Sequence, residues 1–178
     1  MELILPSLQY KKEYLQALEE VIGETGETQL NKPDPGQTFE AFVQMWKDHS
    51  QGKNLHDGRV AATMYWLLDN GEIIGRAHIR HTLNDFLLKH GGHIGYYIKP
   101  SKRRMGYGRK ILQLALEKAK DLGITKALVT CDDDNVGSQK VIESCGGILE
   151  NKVQNEEGKP LTRRYWITRS TKLSNNYD

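Results

Sequence analysis

The side chains best suited to chemistry crowd into residues 96–123, YYIKPSKRRMGYGRKILQLALEKAKDLG. An apolar run ends at Pro100, and Lys102, Arg103, Arg104, Arg109 and Lys110 then surround Gly106 and Gly108. A helical pattern begins at about Tyr107. A helix start leaves N–H groups unpaired and carries about half a positive charge, so it receives anions. Glycine lets an oxygen reach the backbone with no Cβ in the way, and arginine adds charge and forked donors. A merely solvated helix start would not collect these cations, since each opposes the helix dipole by about 0.3–1 kcal/mol. The stretch predicts a phosphate site.

The common phosphate loops do not fit. A Mg-nucleotide loop needs a Lys and a hydroxyl after its last glycine, and Gly108 is followed by Arg109 and Lys110. A dinucleotide loop needs a third glycine where Ile111 stands. Metal sites are not expected either. Asp132, Asp134, Gly137 and Glu143 match part of a calcium loop, but Val136 takes a ligand position and a strand precedes. His78 and His81, three apart on a strand, point to opposite faces.

The elements that must position these residues follow from periodicity. ELIL is a short strand, and residues 8–23 form a helix with Leu8, Tyr14, Leu15, Leu18, Val21 and Ile22 on one face. Residues 23–37 are polar, with glycine and proline, and predict a loop. Thr38 caps a second helix whose apolar face is Phe39, Phe42, Val43 and Trp46. A hairpin turns at Asp69-Asn70-Gly71. A strand ending at Ile98, a helix over 107–122, the strand KALVTC, a short helix over NVGSQKVIESC and a last hairpin around Glu157-Gly158 complete the order. The pattern predicts one α/β (α+β) domain over residues 1–178, a mixed sheet covered by helices, with a tail at about 171–178.

Composition bounds the function. The 178 residues are 38% hydrophobic and 27% charged, ordinary for a soluble domain with a real core. A net charge of +2 argues against a nucleic-acid partner, because the basic cluster is local. No apolar stretch suits a membrane span and the start is not a signal peptide. Cys131 and Cys145, two cysteines without metal spacing, predict free thiols in the cytoplasm.

Arg103-x-x-Gly106-x-Gly108, after YYIKP and opening a long amphipathic helix, resembles the pyrophosphate loop of the GCN5-related N-acetyltransferase (GNAT) family. The family's element order matches from residue 3 to about 170. The resemblance implies a mostly antiparallel sheet of about seven strands flanked by about four helices. It also implies acetyl-CoA as co-substrate, no metal, and transfer of acetyl to an amine by direct attack in a ternary complex. The loop from Arg103 through Arg104, Met105, Gly106, Tyr107 and Gly108 to Arg109 would hold the pyrophosphate. The backbone of Tyr96, Tyr97 and Ile98 would pair with the pantetheine amides like an added strand, and Asn135 with Ser138 would help hold the coenzyme.

The chemistry then needs a base and an acid. An alkylamine of pKa about 10.4 is neutral in only about one part in 2,500 at pH 7, a penalty of roughly 4.6 kcal/mol. Family members often carry a Glu before the loop in an E-[IL]-G-Y context; here His93 occupies that place in HIGY, which makes it the candidate base. His78 and Tyr97 are weaker candidates. The Tyr that often protonates the leaving sulfur is replaced by Ile142. The acceptor, a small-molecule or peptide amine, is expected between residues 23–37, with Glu24, Glu27 and Asp34, and residues 154–164. A homodimer is left open.

Three functions of different kind are consistent with these residues. An N-acetyltransferase predicts amine-dependent thiol release. A catalytically silent acyl-CoA-binding module, which the missing Tyr and Glu allow, predicts binding alone. A nucleic-acid contact predicts basic residues along a whole face, whereas these sit at one helix start.

Overall fold

The computed structural model describes residues 1–25 and 30–168. The expected tail therefore lies outside the described residues. Strands β1 (Glu2–Ile4), β2 (Ala62–Asp69), β3 (Glu72–Arg80), β4 (Ile94–Ile98), β5 (Lys126–Asp132), β6 (Ile148–Val153) and β7 (Thr162–Thr168) form one sheet in the order β1-β2-β3-β4-β5-β7-β6. Every neighbouring pair is antiparallel except β4–β5. The β2–β3 hairpin turns at the expected place. Asn70 and Gly71 both take positive φ, 48° and 79°, which a two-residue type I′ turn requires.

Among the described residues, four α-helices cover the sheet. On one face α1 (Lys11–Thr25) and α2 (Phe39–Ser50) pack on Met64, Trp66, Leu68 and Ile73. On the other, α3 (Tyr107–Asp121) and α4 (Val136–Ser144) pack on Ile79, Ile94, Ile98, Val129 and Tyr165. Thr38 caps α2 as expected, its hydroxyl accepting from Ala41 N at 3.1 Å. Tyr14 stacks on Trp66 at 4.1 Å between ring centroids and is fully buried, with its hydroxyl donating to the Asn31 carbonyl. Large aromatic rings buried in this way dominate core energetics.

The apolar face of α1 differs from the one periodicity suggests. Tyr14, Ala17, Leu18 and Val21 are buried, while Leu8, Leu15 and Ile22 are exposed. These three, seven residues apart, form a stripe beside the buried face, and Leu8 belongs to a separate 3-10 turn, Leu8–Tyr10, capped by Ser7. Two more short turns, Leu87–Gly91 before β4 and Pro100–Lys102 after it, were not legible as periodic elements. Both matter, because they set where β4 begins and ends.

Strand β4 is held tightly on the β3 side. Gly75 pairs with Ile98, and a Cβ at Gly75 would stand 2.1 Å from the Tyr97 carbonyl oxygen. Only glycine allows this backbone approach. Gly75→Ala is expected to push β4 away and to lower stability by about 1–3 kcal/mol. At about 2–4 °C per kcal/mol for a chain of this size, thermal unfolding reads the change directly. An unaltered melting temperature would show that β3 and β4 are not so closely joined.

Candidate active site

The loop between β4 and α3 ends in a run of N–H groups without a backbone acceptor among the described residues. Arg104 and Gly106 both adopt positive φ, 59° and 85°. Alternating left-handed residues turn successive N–H groups into one concavity, a geometry that receives anions. Among the described residues, the N–H groups of 104–109 find no backbone acceptor; the next, Lys110 N, donates to the Gly106 carbonyl at 3.2 Å.

The cations of this loop do not act as one cluster. Lys99 is 7% exposed and held by Glu72 (2.6 Å) and Glu20 (3.1 Å). Lys102 pairs with Glu72 at 2.6 Å, and these two lysines keep the Glu72 carboxyl below its usual range. Arg103 turns back to β4: its Nε donates to the Ile98 carbonyl at 3.2 Å and its Nη2 to Tyr97 Oη at 2.6 Å. So Lys102 and Arg103 fix the loop, while the exposed Arg104 and Arg109 line the cleft below.

Beyond the loop, β4 and β5 diverge. They share one register pair, Ile94 with Val129. At that point His93 N donates to the Leu128 carbonyl at 2.7 Å, and Leu128 N donates to His93 Nδ1 at 2.9 Å. From Gly95 onward, among the described residues, β4 has no paired residue on β5. A strand edge bordering a cleft can take up an extended, amide-bearing ligand.

The cleft so formed has a volume of about 600 Å³. It is lined by Tyr96, Tyr97 and Ile98 of β4, Arg103, Arg104, Gly106, Gly108 and Arg109 of the loop and helix start, and Asn135, Gly137, Ser138 and Val141 of α4. Ten of the expected binding residues meet here. Met105 and Tyr107 do not line it: Met105 is exposed, and Tyr107 Oη donates to Asp69 Oδ2 at 2.9 Å. Gly137 and Val141 escaped the sequence reading; Val141 sits close under Gly108, where a Cβ would press on its Cγ2 at 3.1 Å. Asn135 caps α4, its Oδ1 accepting from Ser138 N at 3.0 Å. Ile142 is fully buried in the core, so no acid stands at that position. A different hydroxyl does face the cleft. Tyr96 Oη reaches Ser138 Oγ at 3.5 Å, and burial pushes the phenol up to about 12.

The sequence model of the acetyltransferase (GNAT) family matches residues 28–147. The chain belongs to this family. No curated protein matches it in sequence. In fold, the chain resembles the acetyl transferase from Salmonella typhimurium that modifies the N-terminal serine of a 50S ribosomal subunit protein (TM-score 0.64, 18% identity, 94% of each chain covered). It also resembles a mutant of spermidine N-acetyltransferase SpeG from Vibrio cholerae (TM-score 0.61, 17% identity, 94% of this chain and 95% of that one). The microcin self immunity acetyltransferase MccE, solved in complex with acetyl-CoA and AMP, has a TM-score of 0.62 and 18% identity over 94% of this chain and 91% of its own.

Acetyl-CoA is the co-substrate of GNAT enzymes, and the cleft fits it: bare N–H groups at one end, an unpaired strand edge along one side, and no side chain at Gly106 and Gly108. The histidine expected to serve as base has other work. Leu128 N–H can only donate, so His93 Nδ1 must accept and Nε2 carries the hydrogen. No lone pair is left to take a proton from an amine. His93 is a positioning residue at the point where β4 and β5 part. His78 is no better a base: burial, then Arg80 and Arg76, lower its pKa to about 3. Tyr97 Oη already accepts from Arg103.

Part of the expected acceptor side lies outside the described residues. Glu24 and Glu27 fall outside the residues whose side chains are described, and Asp34 is exposed. A second cavity, about 290 Å³, lies between the end of β3 and the loops around it, with Arg59, His78 and Arg80 in its wall.

Two measurements test this site. Acetyl-CoA is expected to raise the melting temperature, and Gly106→Asp or Gly108→Glu to abolish the rise by placing bulk and negative charge in the loop; retained affinity in both would exclude the loop as the phosphate site. The second concerns pH. His78 and His93 are held below their ordinary value, the first cause in each being burial. Below pH 6.5 the unfolded chain therefore binds more protons than the folded one, and stability falls on acidification by up to about 1.4 kcal/mol per pH unit per group. The melting temperature should drop from pH 7 to pH 5, and His78→Gln should shrink the drop.

Proposed function

We propose that this GNAT chain transfers acetyl from acetyl-CoA to a primary amine by direct attack in a ternary complex. The observation that carries the proposal is the wedge between β4 and β5, which opens at His93 and runs to the N–H groups of 104–109. When bound there, acetyl-CoA supplies the thioester carbon that the amine attacks. The loop N–H groups with Arg104 and Arg109 hold its pyrophosphate, and the β4 edge at Tyr96–Ile98 aligns its pantetheine arm. Asn135 and Ser138 close the α4 side. Tyr96, protonated up to about pH 12 and facing the cleft, gives its proton to the departing sulfur, and the proton shed by the acylated nitrogen restores the phenol.

No side chain is assigned as base. The half-buried positive charge of Arg76 and Arg80 on the acceptor side disfavours an ammonium ion. That lowers the amine's pKa and does part of the base's task electrostatically. Two solved neighbours are named for an N-terminal serine of a ribosomal protein and for spermidine, and the proposed acceptor belongs to the same broad class, a small-molecule or peptide amine. Cys131 and Cys145 are not joined in a disulfide, which supports a reducing, cytoplasmic setting.

A panel of primary amines with acetyl-CoA, followed by thiol release, tests the proposal. Release should require the amine, and its pH profile should follow the amine rather than a group of pKa 6–7. Tyr96→Phe should lower kcat by about tenfold or more while the Kd for acetyl-CoA holds. Binding without release for every amine would favour the silent acyl-CoA-binding module, which the buried Ile142 at the acid's usual position also allows.

A further inference from the structure

The cavity beside His78 has a chemistry of its own. Arg59 enters from the loop before β2, and His78 and Arg80 come from β3. His78 pairs in register with Gly95, and a Cβ at Gly95 would stand 3.8–3.9 Å from the terminal nitrogens of Arg80. The guanidinium thus lies over Gly95, the residue next to the Tyr96–Ile98 edge of the coenzyme cleft. His78 also touches Trp46 of α2, with ring centroids 5.4 Å apart, so the cavity is on the α1–α2 face of the sheet.

Two observations point to an anion. The first is charge without a counter-charge. Among the described residues, no carboxylate lies within 4 Å of Arg59 or Arg80. Arg80 Nη1 donates to the carbonyls of Gly91 (2.8 Å) and Gly92 (3.1 Å), which orients the group and does not neutralise it. Burial first, and then the nearby Arg76 and Arg59, lower the Arg80 pKa to about 10. The second is an orphaned polar atom. His78 Nε2 is buried in the cavity wall with no hydrogen-bond partner, and such groups are rare in native proteins. The wall is also fixed in advance: Asn84 donates to the Gly58 carbonyl at 2.9 Å and accepts from Leu87 N at 2.9 Å.

We infer that the acceptor amine carries an anionic oxygen group, a carboxylate or a phosphate, which seats between Arg59 and Arg80 against His78. This rests on the reading of the chain as an N-acetyltransferase and narrows its substrate to acidic amines. Arg80 and Arg59 supply charge and forked donors, and His78 in its Nε2–H form donates a neutral hydrogen bond. Polyamines, which bring only positive charge, are excluded from this cavity.

The test compares paired amines on the full chain: glycine against glycinamide for a carboxylate, and phosphoethanolamine against ethanolamine for a phosphate. Binding is read by calorimetry with coenzyme A present, so that the phosphate loop is filled, and inorganic phosphate serves as a further probe. At least one acidic amine should bind about tenfold or more tightly than its uncharged partner. Arg59→Gln, on an exposed loop side chain, should bring that ratio close to one while acetyl-CoA affinity holds. A carboxylate preference and a phosphate preference distinguish the two sources. Equal binding within both pairs, or a preference untouched by Arg59→Gln, would overturn the inference. Acidic amines that bind with an Arg59-dependent preference but accept no acetyl would overturn the acceptor role together with the transferase reading, and equal binding within both pairs would overturn the anion site alone.

Discussion

Strands β4 and β5 run side by side and in the same direction, yet they are joined only around His93, Ile94, Leu128 and Val129. The imidazole of His93 takes the place of a backbone acceptor and satisfies Leu128 N–H, so the ladder can stop there without leaving a buried donor unpaired. Everything beyond this point is a wedge. From the other side, β3 approaches β4 at Gly75 as closely as backbone allows, so β4 cannot relax away from the gap. The edge that β5 leaves is held in place by the packing of the sheet itself.

The basic loop is a division of labour. Seen as a row of letters, Lys102, Arg103, Arg104, Arg109 and Lys110 form one positive patch. In space, Lys102 shares Glu72 with the buried Lys99, and Glu20 bonds both Lys99 and the backbone N of Ser101. These pairs pin the loop to α1 and β3. Arg103 braces β4 by lying 5.3 Å from the Tyr97 ring centroid and bonding its hydroxyl. Burying Lys99 is tolerable because two carboxylates meet it. The charge left facing the cleft is smaller than the sequence suggests, so in the proposed coenzyme site the N–H groups of 104–109 have the larger part.

Local patterns were the legible part. The Asn70-Gly71 turn, the Thr38 cap, the Gly106-x-Gly108 loop and the apolar strand KALVTC each depend on neighbours in sequence, and each lies where periodicity and turn chemistry put it. What depends on partners far along the chain was not legible. The helix face of α1 was misjudged because Leu8, Leu15 and Ile22 are as apolar as the buried set, and only the position of β2 decides which stripe is covered. His93 matched a family position for a base, yet Leu128, distant in sequence, claims its lone pair. Arg59 and Arg80 lie 21 positions apart and carried no motif; only the β2–β3 pairing brings them to one cavity.

The absence of a base and the presence of that cavity belong together physically. A cationic wall raises the free energy of an ammonium ion and so shifts the amine toward the neutral, nucleophilic form. The same wall would repel the amine before it arrived, unless the molecule carries compensating negative charge elsewhere. An anionic group held by Arg59 and Arg80 resolves the conflict: the anion provides attraction, and what remains of the positive field near Gly95 acts on the nitrogen. Charge complementarity at one end of the acceptor and charge opposition at the other then orient it, with no proton-accepting side chain required at the point of attack.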